Sequence, residues 1–153
     1  MFKWFGLVNF VPYTRVDGFA EHLREGRIMG SRCRKCGAVT FPPRSDCSEC
    51  LDANFEFVEY SGLGTLQTYT RIEAAPTGFE HRAPYIVGVM DLPEGGRALA
   101  WFGETVAEED IHIGMELQLV PRMSEEEERI RVYYSLEMPG TQWVKTPGES
   151  LRR

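Results

Sequence analysis

The chain has 153 residues, a length that fits one domain or a small domain beside a smaller module. Hydrophobic residues make up 42% and charged residues 26%, the make-up of a soluble globular protein, with a net charge of −6. No apolar run reaches the roughly 18 residues of a membrane helix; no membrane partner is expected, and the cytoplasm is the expected compartment.

The N-terminal segment "MFKWFGLVNFV" carries one Lys, a short apolar stretch and no small-residue cleavage site. It is therefore expected not to be a signal peptide. Residues 1–16 are taken as an arm whose Trp4 and Phe5 dock on a partner, since aromatic anchors are common at interface hot spots. Next comes "DGFAEHLREGRIMGSR". Phe19, His22, Leu23 and Gly26 predict a short amphipathic helix, with Asp17 placed to cap its start and Gly26 to end it.

All four cysteines fall in "CRKCGAVTFPPRSDCSEC", residues 33–50. A secreted disulfide scaffold spreads its cysteines to staple distant parts, and this chain does not. Two C-x2-C pairs ten residues apart are built instead for a metal. Each pair is a tight knuckle, and two facing knuckles put four thiolates at the corners of a tetrahedron about 2.3 Å from a zinc ion. Gly37 follows the second Cys, where a knuckle asks for positive φ. The sequence between the pairs is expected to form a short hairpin stiffened by Pro42 and Pro43. Cys33, Cys36, Cys47 and Cys50 are thus the expected ligands of structural zinc. Iron in a rubredoxin-like site uses the same four sulfurs and stays open. Arg32, Arg34, Lys35 and Arg44 stand close enough in sequence to offset the negative cage. Residues 17–53 are taken as helix plus ribbon.

Beyond Cys50 the pattern turns to strands. "FEFVEY" leads through Gly62 and Gly64 into "TLQTYTRI", a long glycine-bent first strand in which Leu66, Thr68, Thr70 and Ile72 share one face. "YIVGVMDL" is apolar on both faces and predicts a buried strand. "PEGG" turns into "RALAWF". "ETVAEEDIHIG" predicts a short helix ended by Gly114. "MELQLVP" points Met115, Leu117 and Leu119 inward, and "RIRVYYSLE" does the same with Ile130, Val132, Tyr134 and Leu136. Five strands with a helical turn between the third and fourth match an OB barrel over residues 54–137. The fold expected is therefore mainly β: an N-terminal helix and rubredoxin-like zinc ribbon, then a five-stranded OB-fold barrel. Residues 138–153, with Trp143, are taken as a C-terminal docking tail.

A ribbon beside an OB barrel raises nucleic acid as the alternative function. Charge opposes it. Residues 1–53 hold eight Lys or Arg against six Asp or Glu, whereas residues 54–153 hold nine against seventeen. The expected loop between the fourth and fifth strands, "MSEEEER", places four glutamates where a phosphate backbone needs cations. No nucleic-acid partner is expected. Nor does a catalytic constellation stand out. The thiols are committed to metal, the three His are scattered, and neither H-E-x-x-H nor G-x-S-x-G occurs. The loop from Glu73 to Tyr85 is long for a hairpin connection, which favours a binding role. Arg71 and Arg82 suit phosphates there, and Phe79 suits an apolar or ring moiety.

In this order, "LREGRI", the four-Cys motif, "GLGTLQTYT", "APYIVGVMDL" and "HIGMEL" resemble a family of small proteins that pair a rubredoxin-like zinc ribbon with an OB fold. The resemblance covers residues 17–136. It implies a non-catalytic accessory subunit of a thiolase-type enzyme, which helps to hold the acyl-CoA substrate and bridges subunits. It implies zinc on Cys33, Cys36, Cys47 and Cys50, and a barrel whose long loop faces the catalytic partner or the CoA. The candidate contacts are Arg44, Arg71, Phe79, His81, Arg82 and Tyr85. The aromatic arm and the Trp143 tail depart from the common family pattern and are expected to mark a dedicated partner; as a whole the chain looks similar to family members that serve aromatic acyl-CoA thiolases.

Overall fold

The computed structural model of the protein describes residues 14–77, 80–126 and 129–143. The first element is a helix of two turns, α1 (Gly18–Arg24), which buries Phe19, Ala20 and Leu23 on one side. Asp17 sits at the cap position but in a helical conformation, and its side chain makes no capping bond, contrary to the expectation. The start is held instead by backbone bonds from the Phe19 and Ala20 amides to the Val16 and Asp17 carbonyls. Gly26 ends the helix as expected, at φ 82°.

The ribbon follows as a three-stranded antiparallel sheet. Its central strand β1 (Met29–Cys33) pairs with β2 (Val39–Thr40) on one side and β3 (Phe55–Glu59) on the other. Two expectations are corrected here. The segment between the cysteine pairs forms no hairpin of its own, because Val39 and Thr40 pair back to Arg32 and Ser31. Likewise "FEFVEY" does not begin the barrel. Every residue of β3 is in register with β1, from Phe55 opposite Cys33 to Glu59 opposite Met29. Gly30 is required in this sheet, because the Tyr60 ring lies where its Cβ would stand, 2.2 Å away.

The barrel is closed in the order β4 (Leu63–Ile72), β5 (Tyr85–Asp91), β6 (Arg97–Phe102), β8 (Arg129–Glu137), β7 (Glu116–Glu126), and back to β4. The β6–β8 pairing is parallel and the others antiparallel. This is the five-stranded OB arrangement, so the expected fold class stands. Leu66, Met90, Leu117 and Leu136 fill its interior with no solvent exposure; each such side chain contributes roughly 1.5–3 kcal/mol. Met115 and Leu119 also point inward as expected.

Three details of the barrel differ from the sequence expectation. First, β4 does not keep one face throughout. A bulge between Leu66 and Thr68 shifts the register, so Leu66 pairs with buried Met90 while Thr68 and Thr70 pair with outward Val89 and Val87. An extra residue reverses the alternation from that point on. Second, the segment 104–114 forms only a 3-10 turn, Glu108–Asp110. Its buried anchors, Val106 and Ile111, are five residues apart, a spacing that does not fall on one side of an α-helix. Third, the strands β7 and β8 pair out to Glu126 opposite Arg129, so most of the expected "MSEEEER" loop is strand. The turn "PEGG" is as expected, with Gly95 and Gly96 at positive φ.

One core joins the helix, ribbon and barrel. Phe41, at the end of β2, meets Phe19 edge-on at 6.1 Å, Tyr60 at 5.6 Å and Tyr134 of β8 at 5.6 Å. The Tyr60 hydroxyl donates to the Gly95 carbonyl at 3.0 Å, and the Ser61 amide donates to a Glu94 carboxylate oxygen at 2.7 Å. These contacts tie the ribbon to the β5–β6 turn. Among the described residues, no helix is long and apolar enough to cross a membrane.

Candidate functional site

The two cysteine pairs adopt the same local fold. In the first, the Gly37 amide donates to the Cys33 carbonyl at 2.9 Å and the Cys33 amide to the Ala38 carbonyl at 2.8 Å. In the second, the Leu51 amide donates to the Cys47 carbonyl at 3.0 Å and the Cys47 amide to the Asp52 carbonyl at 2.9 Å. Gly37 and Leu51 occupy the equivalent positive-φ position, at 78° and 58°. The sequence predicted the first of these and not the second, since leucine gives no signal of a left-handed residue.

The knuckles face one another and bring four sulfurs together. Cys33 Sγ lies 3.6 Å from Cys50 Sγ, Cys36 Sγ lies 3.5 Å from Cys47 Sγ, and all four lie within 4.8 Å of one another. A tetrahedron with bonds of about 2.3 Å has edges of about 3.8 Å, so the spacing suits a tetrathiolate ion. Backbone amides point at the sulfurs. Those of Cys36 and then Lys35 draw the Cys33 thiol down to about 7, against the opposing effect of burial. The Glu49 amide lies 3.4 Å from Cys47 Sγ. Four sulfurs this close cannot all ionise without a cation among them. Cys50 shows the strain: the Asp52 amide favours its thiolate, but burial and the other three sulfurs push it up to about 12. The four cysteines are thus arranged to bind a metal, and as a closed set of four they leave no coordination position for a substrate.

The basic residues near the cage are mostly matched elsewhere. Arg34 pairs with Glu56 at 3.2 Å, Arg32 approaches the same carboxylate at 4.0 Å, and Lys35 approaches Asp52 at 3.9 Å. The Arg44 amide donates to Ser31 Oγ at 3.0 Å and its side chain is exposed.

The remaining expected contacts divide. Arg71, at the end of β4, pairs with Glu73 and, at 3.2 Å, with Glu108. That ion pair ties the β4–β5 connection to the 3-10 turn. Arg82 and Tyr85 do come together, around a residue the sequence reading passed over. The Arg82 guanidinium lies 4.8 Å from the Trp101 ring centroid, Tyr85 meets the same ring at 5.8 Å, and Tyr133 of β8 lies 6.2 Å from it. Burial pushes the Tyr133 hydroxyl up in pKa, with Arg82 and Arg122 nearby pulling the other way. The signal was present. In "RALAWF", Ala98 and Ala100 are buried, so alternation sends Trp101 outward, and Tyr133 is outward for the same reason between Val132 and Tyr134. Arg44 belongs to the ribbon and is not part of this group. Trp4, Phe5, Phe79 and the His81 side chain lie outside the described residues. Trp143 is half-buried, with its ring where a Cβ on Gly26 would stand, 2.8 Å away. It borders a cleft of about 300 Å³ between the ribbon and β7 that also includes Tyr60, Ser61 and Gln118.

A further cluster was missed entirely. Glu137 closes β8 with no solvent exposure. Ser135 Oγ donates to one of its oxygens at 2.6 Å, and Arg122 of β7 pairs with that same oxygen. Thr105 donates to the other oxygen from both its hydroxyl, at 2.6 Å, and its amide, at 3.1 Å. Burial alone would raise the carboxyl's pKa. The hydrogen bonds from Ser135, Thr105 and Arg122 outweigh it and hold the group below the usual carboxylate range. Sequence alternation marked Glu137 as outward and hence solvated. It is buried because the 103–105 segment folds over it.

A four-thiolate ribbon welded to an OB barrel defines a class of small metal-ribbon proteins. Comparison with known proteins agrees in both halves: residues 20–56 match the rubredoxin-like zinc ribbon domain of ChsH2, and residues 57–122 match the ChsH2 C-terminal OB-fold domain. A DUF35 domain-containing scaffold protein of Methanocaldococcus jannaschii is 36% identical over 109 residues, covering 70% of this chain and 77% of that one. The chain belongs to the DUF35 scaffold protein family. The benzoylsuccinyl-CoA thiolase subunit BbsA of Thauera aromatica is 37% identical over 84 residues, which span 55% of this chain and 54% of that subunit. The solved structure of an Ltp2-ChsH2(DUF35) aldolase shares the fold, with a TM-score of 0.65 at 24% identity over 84% of this chain and 98% of that one.

Proposed function

We propose that this chain is a non-catalytic, zinc-binding accessory subunit of a thiolase-type enzyme, helping to bind acyl-CoA and to assemble the complex. The observation that carries the proposal is a pairing. A stretch shared with a thiolase subunit falls on a chain whose four thiols, all it has, converge on one closed cage. Thiolase chemistry needs a nucleophilic cysteine, a base and an oxyanion hole. These come from the larger partner. Zinc, when bound, supplies a structural crosslink and no reaction step.

The acyl-CoA contribution is assigned to the outer side of β5 and β6, the face with which OB barrels bind extended ligands. Arg82 offers a cation for a phosphate, and Tyr85, Trp101 and Tyr133 surround it with aromatic surface. The nucleic-acid alternative is weaker, because Arg32, Arg34, Arg71, Arg97 and Arg122 each pair with a carboxylate of this chain, leaving no continuous cationic track among them.

The test is purification from the native host. A thiolase-like chain should co-purify, and thiolysis should require both chains. Thioester turnover by the isolated protein would overturn the proposal. Metal analysis separates zinc from iron, since a ferric tetrathiolate is coloured and a zinc one is not.

A further inference from the structure

The outer side of β6 carries an aromatic slot with one cation laid in it. Trp101 stands on β6, which lies between β5 and β8 in the barrel. Tyr85 of β5 flanks the indole on one side, with ring centroids 5.8 Å apart and planes at 62°. Tyr133 of β8 flanks it on the other, at 6.2 Å and 59°. Two tilted rings thus wall a third, and all three are half-buried rather than closed in. The Arg82 guanidinium lies over the indole, 4.8 Å from its centroid. Other arginines of the barrel are spent on carboxylates: Arg71 on Glu73, Arg97 on Asp91 and Arg122 on Glu137. Arg82 is set against a ring instead. A guanidinium offers its flat face to a ring and its N–H edge to an anion. With one face on Trp101, Arg82 presents the other face to a second ring and its edge to a phosphate.

We propose that this slot holds the nucleotide head of coenzyme A, with the adenine ring layered on Arg82 and Trp101 and a phosphate at the Arg82 edge. The inference rests on the function proposed above and assigns this chain one end of the ligand. The chemistry divides that ligand. All four thiols of the chain converge on the closed cage, so the reacting thioester, whatever its acyl group, lies at the partner's nucleophile. What falls to this chain is the far end of the molecule, a purine ring carrying phosphates. The pantetheine arm between the two ends has neither a ring to stack nor an anion for Arg82. The charge of the face also limits the ligand to one nucleotide. A nucleic-acid strand needs cations in succession along its backbone. Arg122, cross-strand from Tyr133, is neutralised by Glu137.

The experiment titrates the complex of this chain with its co-purified catalytic subunit, using adenosine 3′,5′-bisphosphate, pantetheine and an oligoadenylate as probes. The bisphosphate should bind and should displace acyl-CoA. Trp101→Ala should weaken it by about 10-fold at low and high salt alike, as loss of a stacked base does. Arg82→Ala should weaken it a few-fold, an effect that high salt shrinks. Arg82 lies in the 3-10 turn Glu80–Arg82, outside the barrel strands, so this variant decides the matter should Trp101→Ala fail to fold. Bisphosphate that does not bind, or that binds both variants as it binds the wild type, overturns the inference and leaves the accessory-subunit proposal standing. Pantetheine weakened by either variant with the bisphosphate unchanged puts the arm in the slot and equally overturns it. An oligoadenylate that binds more tightly than the bisphosphate makes the slot a nucleic-acid site and does the same. Absence of any thiolase-like chain bound to the wild type overturns both proposals.

Discussion

The sharpest stability prediction concerns Glu137. Its carboxylate is fully enclosed and accepts from Ser135, from Thr105 twice, and from Arg122, whose side chain is 26% exposed. Replacing it with Ala would leave a guanidinium, two hydroxyls and an amide without their acceptor. Breaking a fully buried ion pair costs about 3–5 kcal/mol. Because Arg122 can turn toward water, about 2–4 kcal/mol is expected for Glu137→Ala, read as a lowered urea midpoint at neutral pH. Glu137→Gln keeps the shape and removes the charge, so about 1–2 kcal/mol is expected. The pH dependence is a separate check. The folded carboxyl sits below its unfolded value, so its contribution is fully present above the unfolded pKa and is lost as the pH falls through the folded one. The wild type should therefore lose stability on acidification below about pH 4.5 by an increment that Glu137→Gln lacks. Parallel curves for the two proteins across that range, or a neutral-pH loss below about 0.5 kcal/mol for Glu137→Ala, would refute the assignment of this cluster.

Other expectations follow from the same geometry. Gly103→Ala should approach the Glu137→Ala loss, because its Cβ would lie 1.7 Å from a Glu137 carboxylate oxygen; equilibrium urea unfolding checks it. Cys36→Ser should lose stoichiometric metal by elemental analysis and melt the ribbon, since binding energy there is folding energy. Gly88→Ala should destabilise by about 1–3 kcal/mol, as its Cβ would meet Leu66, Phe102 and Leu136 at 2.9 Å in the barrel interior. Trp101→Ala should weaken acyl-CoA binding to the assembled complex by about 10-fold, with Arg82→Ala a few-fold, by isothermal titration.

Local pattern alone determined a good deal about this protein. The x2 spacing within each cysteine pair and Gly37 after the first pair dictate a knuckle, because closing so short a loop leaves few backbone conformations. The inward runs of β7, the "PEGG" turn and Gly26 at the helix end are legible for the same reason: alternation, and the need for positive φ, are properties of a few adjacent residues. Pairing between distant segments is not such a property. Phe55–Glu59 reads as a strand in any setting, and only the partner at Met29–Cys33 decides that it belongs to the ribbon. The bulge after Leu66 is invisible in "TLQTYTRI" and reverses the face of Thr68 and Thr70. Glu137 reads as a solvated end of strand until the 103–105 segment covers it and Arg122 arrives from the neighbouring strand. Leu51 reads as an ordinary residue because leucine carries no left-handed signal, although the bonds that accompany its φ of 58°, from Leu51 to Cys47 and from Cys47 to Asp52, are local. For the ribbon strand, the bulge and Glu137 the deciding contact joins residues far apart in the chain, and its energy exists only once the barrel and ribbon have closed.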